Sequence, residues 1–259
     1  MKKILCLCLA GLLCLFCLAS CDGKNGSEDI STTVKIEMPD VNSDPLTGPI
    51  LVLDSYRDDG AYTFDYILQK VNASKPTKCV NNVSTYNPDT VRTLISSETY
   101  TIANVGGEDM VRLAYIYQSI EEIKVENGQI ISAGGIVTTQ GIEYSKLSEV
   151  GGNAFVLTPS GYNLTREAFT GYHIQYFETS RTINFRGTLK ADQVEKVLGV
   201  DYSKDVIAAQ VEFVISADTG LLSTMTVTLK FPADVDKVGQ EAIHYTADYS
   251  YDVQSFVVE

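Results

Sequence analysis

The sequence predicts an α+β domain in which a curved antiparallel sheet of about nine to eleven strands packs on two or three short helices. Strict alternation of apolar and polar residues over the second half indicates strands with one buried face. Short turn signals separate the apolar runs, which favours antiparallel pairing because parallel strands need long crossovers. Helical spacing is confined to short segments, so the sheet must curve to bury its apolar face.

The N-terminus has the pattern of a secretory signal over residues 1–20. Lys2 and Lys3 precede an apolar run from Ile4 to Ala19, and small residues stand before Cys21. The run has 16 residues, fewer than the ~18 that indicate a membrane-spanning helix. An ordinary secreted protein and an uncleaved anchor remain as alternatives.

This N-terminus resembles that of bacterial lipoprotein precursors, on Leu18-Ala19-Ser20-Cys21 and the run before it. The resemblance implies cleavage before Cys21 and a lipid on its sulfur. The protein would then be anchored to the extracytoplasmic face of a bacterial membrane. Two or more acyl chains give stable anchoring, whereas one gives only marginal binding.

Residues 21–60 are predicted to form a flexible acidic tether, and residues 61–259 a single folded domain. The tether is rich in small polar residues and contains Pro39, Pro45 and Pro49, which break helices. The apolar run at 50–53 is too short to decide whether an edge strand precedes the domain.

Charge and cysteine usage exclude several functions. The formal net charge is −13, and residues 1–20 hold two lysines and no acid, so their removal leaves −15. Nucleic-acid binding and adsorption to anionic lipid both need clustered basic residues. Apart from the predicted signal and Cys21, the one cysteine is Cys79, which we expect to be buried. No metal site or cofactor is indicated, and we expect a monomer.

The first part of the domain is predicted to hold one helix, at 61–71, which Pro76 follows. Asn127-Gly128 predicts a hairpin over 125–131. A single helical turn is expected within 163–169. Six candidate strands are predicted, at 78–86, 98–105, 110–119, 129–139, 142–147 and 153–158.

The second part is predicted to hold long strands around a short helix. The helix covers 191–198 and ends at Gly199, a common stop residue. Five strands are predicted from the alternation, around 172–177, 183–190, 209–215, 225–231 and 245–253.

This order of elements resembles the half-barrel lipoproteins related to the LolA and LppX/LprG families. The resemblance rests on 182–189, which lead into the short helix, and on 213–222, with a Thr/Met-rich strand behind them. It implies an unclosed antiparallel barrel that packs on helices and encloses an apolar cavity for acyl chains. It carries no catalytic residue. The chain departs from those families by its lack of tryptophan and its long acidic tether.

Catalytic signatures are absent from the sequence: there is no GxSxG, HExxH, P-loop or GxGxxG motif. His173 and His244 fall on the polar phase of predicted strands and are expected at the surface. Tyr245, Tyr249 and Tyr251 are expected to pack in the sheet. A hydrolase would require one of the histidines close to a nucleophile.

The favoured function is therefore non-enzymatic binding of an apolar or amphipathic ligand, such as a lipid, inside the curved sheet. A protein-binding or envelope-structural lipoprotein with a filled core is the alternative. A cavity above ~300 Å³, the lower end of ligand sites, distinguishes the two. Six residues are predicted to line the cavity: Phe185, Phe213, Met225, Val227, Leu229 and Phe231.

Overall fold

A computed structural model gives the structure of part of the chain, and the described residues all belong to one compact unit. The predicted signal peptide, Cys21 and the predicted tether up to residue 49 lie outside them. The described ranges are 50–87, 92–120, 124–126, 129–132, 136–150, 152–200, 205–232 and 241–258.

Ten strands form one open sheet in the order β1-β8-β9-β10-β11-β12-β2-β3-β4-β7. All neighbours pair antiparallel except β1 and β8, which are parallel. The predicted α+β half-barrel is confirmed. The strands are β1 Tyr56–Arg57, β2 Lys78–Asn87, β3 Arg92–Val105, β4 Glu108–Ile120, β7 Ile136–Lys146, β8 Phe169–Phe177, β9 Thr182–Leu189, β10 Ala208–Ser216, β11 Leu222–Lys230 and β12 Ala242–Ser250.

A separate hairpin lies between β4 and β7. Its strands β5 (Lys124–Glu126) and β6 (Gln129–Ser132) pair antiparallel, as the predicted hairpin requires. The Asn127-Gly128 turn itself lies outside the described residues.

Two short α-helices lie in the described part of the chain, at the positions that their apolar spacing predicts. Helix α1 covers Phe64–Ala73, and its N-cap Thr63 accepts a hydrogen bond from the Tyr66 backbone N–H. Helix α2 covers Val194–Leu198 and follows one 3-10 turn at 191–193. It ends at Gly199, whose φ of +71° suits a residue without a Cβ. The helical turn expected within 163–169 is a 3-10 turn at Arg166–Ala168.

Two local predictions are wrong. Residues Gly152–Leu157 form a 3-10 helix instead of the predicted strand at 153–158. A continuous apolar run of this length has no periodicity that separates a strand from a helical turn. The predicted break between the strands at 129–139 and 142–147 is also wrong, because β7 runs through Gly141 without interruption. Glycine is needed there because the Tyr115 ring of β4 occupies the space where a Cβ would stand.

The folded part begins before residue 60, the predicted end of the tether. The Leu53 N–H donates to Thr188 Oγ1 over 2.9 Å, and Thr170 Oγ1 donates to the Leu53 carbonyl over 2.8 Å. The Tyr172 N–H then donates to the Ser55 carbonyl, which leads into β1. Gly171 permits this close approach, since a Cβ there would stand 2.6 Å from the Leu53 carbonyl oxygen. A two-residue parallel strand gives no periodic signal in the sequence.

Candidate functional site

The strand register places one row of side chains across the inner face of the sheet. Directly paired residues lie on the same face. The row starts on apolar side chains and ends on polar ones, in the order Ile174, Phe185, Phe213, Met225, Ala247, Asn81, Glu98, Tyr115 and Gly141. We call the inner face of β8–β11 the covered region and the inner face of β2, β3, β4 and β7 the open region.

Helix α1 and Tyr162, which follows the 3-10 turn Pro159–Gly161, pack on the covered region. The Phe64 ring of α1 lies 5.1–6.0 Å, centroid to centroid, from the rings of Phe169, Tyr172 and Phe185. The Tyr162 hydroxyl reaches the Met225 sulfur at 3.0 Å. This region is therefore a close-packed core.

The six residues predicted to line a cavity all lie in that core. Each is at most 3% exposed, and none of them lines the cleft of the open region. Their alternation correctly marked the inner face, but periodicity cannot show which part of that face a helix covers. The structure places the candidate site on neighbouring strands instead.

A cleft of about 670 Å³ lies over the open region. This volume falls within the range of small-molecule sites, about 300–1,000 Å³. Apolar and aromatic side chains form most of its wall, and three carboxylates join them. The lining residues are Val83, Thr85, Leu94, Ser96, Glu98, Tyr100, Leu113, Tyr117, Glu143, Tyr144, Ser145, Glu149, Val150, Ile243 and Tyr245.

Glu98 is the most deeply buried of the three carboxylates, at 2% exposure. Its Oε2 accepts hydrogen bonds from Asn81 Nδ2 and from the Tyr100 hydroxyl, both over 2.9 Å. Its Oε1 accepts from the Tyr117 hydroxyl over 3.2 Å. A buried carboxylate is tolerated only when such donors replace water. These three donors therefore fix the direction of the carboxylate at the cleft.

The tyrosines around Glu98 stay protonated. Burial, aided by the negative charge and hydrogen bond of Glu98, raises the pKa of Tyr117 to about 12. The same causes raise the pKa of Tyr100 above its ordinary value. Both hydroxyls are therefore donors at neutral pH. Burial also raises the pKa of the Cys79 thiol to about 12, which makes it unreactive.

A stacked aromatic pair stands beside this network on β4. The Tyr115 and Tyr117 rings lie 4.6 Å apart, centroid to centroid, with an interplanar angle of 17°. They are two residues apart on one strand and so share the inner face. The ring of Tyr115 lies over Gly141, where a Cβ would stand 2.5 Å from its hydroxyl oxygen. The open region thus presents flat π-faces next to a carboxylate.

The sequence analysis missed this site, although a signal for it was present. Glu98 is in phase with Tyr100 and Ile102, and Asn81 is in phase with Cys79 and Val83. A charged or amide side chain on the apolar phase of a strand marks a buried polar site.

The histidines lie on the outer face, half-buried, and not in the cleft. His173 Nε2 is 3.0 Å from the Ser55 hydroxyl. His244 lies between two threonine hydroxyls, 2.8 Å from Thr228 and 3.2 Å from Thr246. His173 thus has a hydroxyl within reach, as a hydrolase would need, but this pair lines none of the described pockets.

Two further predictions concern packing, and both are confirmed. Cys79 is completely buried. The Tyr249 hydroxyl donates to the Val156 carbonyl over 2.7 Å, and Tyr245 packs edge-on against Phe155. Tyr251 lies one residue past β12, and its hydroxyl donates to the Leu222 carbonyl over 2.8 Å. Within the described ranges, no three His, Cys, Asp or Glu residues come together to hold a metal. No helix in those ranges is long and apolar enough to cross a membrane.

Comparisons with known proteins give no family for this chain. No protein family and no curated protein matches it. Among solved structures, the crystal structure of Rv2717c from M. tuberculosis is similar at a TM-score of 0.25 and 14% identity, over 71% of this chain and 97% of that one. A likeness of this size assigns neither a family nor a function.

Proposed function

We propose that this protein is a non-enzymatic lipoprotein, anchored through Cys21 to the extracytoplasmic face of a bacterial membrane, that binds an apolar or amphipathic ligand. The cleft of about 670 Å³ over the open region carries the proposal. Its wall combines apolar side chains with a few convergent polar groups, as is typical of ligand sites. The N-terminal pattern of residues 1–21 supports the anchor.

The size of the cleft favours a single small ligand over a filled core. Val83, Leu94, Leu113 and Ile243 provide an apolar surface that a ligand can cover. Leu94 is 41% exposed, so part of its apolar surface is open to a ligand in the cleft. An apolar ligand body in contact with Leu94 would remove this surface from water.

Filling the cleft tests the ligand proposal. Ser96 lines the cleft on β3, whereas its neighbour Ser97 lies on the outer face. The full chain is produced in a bacterial membrane, purified, and its bound small molecules are measured by native mass spectrometry and organic extraction. We expect Ser96→Trp to lose the bound molecules and Ser97→Trp, the matched control, to keep them. Equal retention by both variants would contradict ligand binding in the cleft.

The anchor is tested separately. We expect the wild-type chain to incorporate a labelled fatty acid and to sediment with membranes. Cys21→Ser should lose the label, while Cys79→Ser should keep it because Cys79 is buried in the sheet. Labelling that survives in the Cys21→Ser variant would exclude Cys21 as the lipid site.

A second candidate function follows from the filled covered region. If the protein binds another protein or stabilises the envelope, its core needs no ligand, and the packed residues Phe185, Phe213 and Met225 fit that role. This candidate predicts that neither the wild-type chain nor the Ser96→Trp variant carries a small molecule.

A further inference from the structure

The charged side chains in the described lining of the cleft are all acidic, and this restricts the charge of a ligand. Glu98, Glu143 and Glu149 all line the cleft. No lysine, arginine or histidine belongs to its described lining. The whole chain carries a formal net charge of −13, so the wider field has the same sign. A ligand with a carboxylate or phosphate would meet like charges at every acidic group of the wall.

Asn81, next to Glu98, has a buried acceptor that needs a hydrogen-bond donor. Its side chain is completely buried on the inner face, directly paired in register with Glu98. Its Nδ2 donates to Glu98, but its Oδ1 has no hydrogen-bond partner within the described part of the chain. Buried acceptors are almost always satisfied. Asn81 adjoins Glu98 but is not itself part of the cleft wall, so a donor of the ligand would have to reach past Glu98 to satisfy this Oδ1.

The aromatic wall favours a cation for a different reason. The faces of tyrosine rings carry negative electrostatic potential and attract ammonium groups within about 6 Å. Tyr100, Tyr117 and Tyr245 line the cleft, and Tyr115 stacks on Tyr117. Carboxylates next to aromatic faces therefore attract an ammonium group in two ways.

We propose that the cleft binds a small amphipathic amine: a protonated nitrogen joined to an apolar body. The nitrogen would lie near Glu98, Glu143 and Glu149, and it supplies the positive charge that the described lining of the cleft lacks. The apolar body would cover Val83, Leu94 and Leu113. This inference rests on the proposed ligand-binding function and specifies the charge of the ligand.

The test compares three probes that share one apolar body and differ only in charge: para-butylbenzylamine, para-butylbenzyl alcohol and para-butylbenzoate. The full chain is reconstituted in lipid nanodiscs, and binding is measured by titration calorimetry and saturation-transfer NMR, with empty nanodiscs as the blank. We expect the amine to bind about tenfold more tightly than the alcohol, and the carboxylate more weakly than the alcohol.

Charge variants identify the groups responsible. Glu143 and Glu149 are exposed, so the double variant Glu143→Gln/Glu149→Gln should fold normally. We expect it to weaken amine binding about tenfold and leave alcohol binding unchanged. Glu178→Gln removes an exposed charge near the β8–β9 turn, away from the cleft, and should change neither. Glu98→Gln keeps the shape of the buried side chain and should reduce amine binding further.

The outcomes separate this inference from the proposed function. If the alcohol binds and the amine has no advantage, or if the carboxylate binds best, the amine proposal is overturned and a ligand cleft remains. Unchanged amine affinity in the double variant and in Glu98→Gln would overturn it as well. If none of the three probes binds, the amine proposal is overturned, and the molecules that co-purify with the wild-type and Ser96→Trp chains decide the ligand-binding function separately.

Discussion

The covered and open regions of the inner face are built from the same continuous strands but differ in what lies over them. In the covered region, Phe64 of α1 and Tyr162 pack on Phe185 and Phe213. In the open region, neither α1 nor α2 contributes a lining residue to the cleft. The position of a cavity over this sheet therefore depends more on where the short helical segments pack than on the sequence of the strands.

The side chains of the inner face change from apolar to polar where the sheet is no longer covered by α1. The row that holds Phe213 and Met225 in the covered region continues through Ala247 to Asn81 and Glu98. A carboxylate under α1 would be buried without donors at high cost. Beside the cleft, Glu98 is held by three hydrogen bonds. Asn81 and Glu98 thus mark the part of the inner face that α1 does not cover.

The largest expected difference in stability between the two regions comes from truncating one leucine in each. Leu229 is fully buried in the covered region, whereas Leu113 lines the cleft and is half-buried. We expect Leu229→Ala to lower the free energy of unfolding by about 2–5 kcal/mol, because it leaves a cavity in a packed core. Leu113→Ala should cost about 1 kcal/mol or less. Urea unfolding measures both, and equal costs would contradict the division into two regions.

A matched pair of glycines gives the next largest difference. A Cβ on Gly187 would stand 2.6 Å from the Phe169 ring and 2.9 Å from Phe185, both completely enclosed. A Cβ on Gly141 would have as its nearest neighbour the far end of the half-buried Tyr115 side chain, which can shift more easily than an enclosed ring. We expect Gly187→Ala to cost about 1–3 kcal/mol from overpacking and Gly141→Ala less than about 1 kcal/mol. Thermal unfolding would refute this if Gly141→Ala were the more damaging.

Alkaline titration compares one tyrosine from each region. Burial is the main cause that raises the pKa of Tyr117, in the open region, and of Tyr172, in the covered region, each to about 12. The unfolded chain ionises first near pH 10, so it binds fewer protons than the folded chain above that pH. Stability is therefore fully present below pH 10 and falls as the pH rises towards 12.

Tyrosine-to-phenylalanine variants show how much of this alkaline loss of stability each tyrosine causes. We expect Tyr117→Phe and Tyr172→Phe each to reduce the alkaline loss by on the order of 1 kcal/mol after solvent screening. Ultraviolet difference titration should show one late-ionising tyrosine fewer in each variant. Ionisation of Tyr117 at the ordinary pKa would instead indicate that water fills the open region around Glu98.

The sequence predicted the architecture well because the apolar–polar alternation within most strands shows which of their faces is buried. The alternation in 209–215 and 225–231 marks the inner face without any knowledge of neighbours. The boundary between the two regions depends on contacts such as Phe64 on Phe185, which are far apart in sequence. No local pattern encodes them. The six residues predicted to line a cavity therefore lie on the inner face, but in the region that α1 covers and not at the cleft.

The smallest expected effects concern the solvent-exposed ion pairs, which should not distinguish the two regions. Lys146 and Glu108 pair at 2.8 Å beside the open region, and Arg186 and Glu212 pair at 2.9 Å on the outer face of the covered region. Exposed pairs contribute about 0–1 kcal/mol, and salt screens them. We expect Glu108→Gln and Glu212→Gln each to cost less than about 1 kcal/mol, with both costs shrinking in high salt. Urea unfolding at two salt concentrations checks this. A much larger cost for Glu212→Gln would show that the covered region is more stable throughout, not only where helices pack on its inner face.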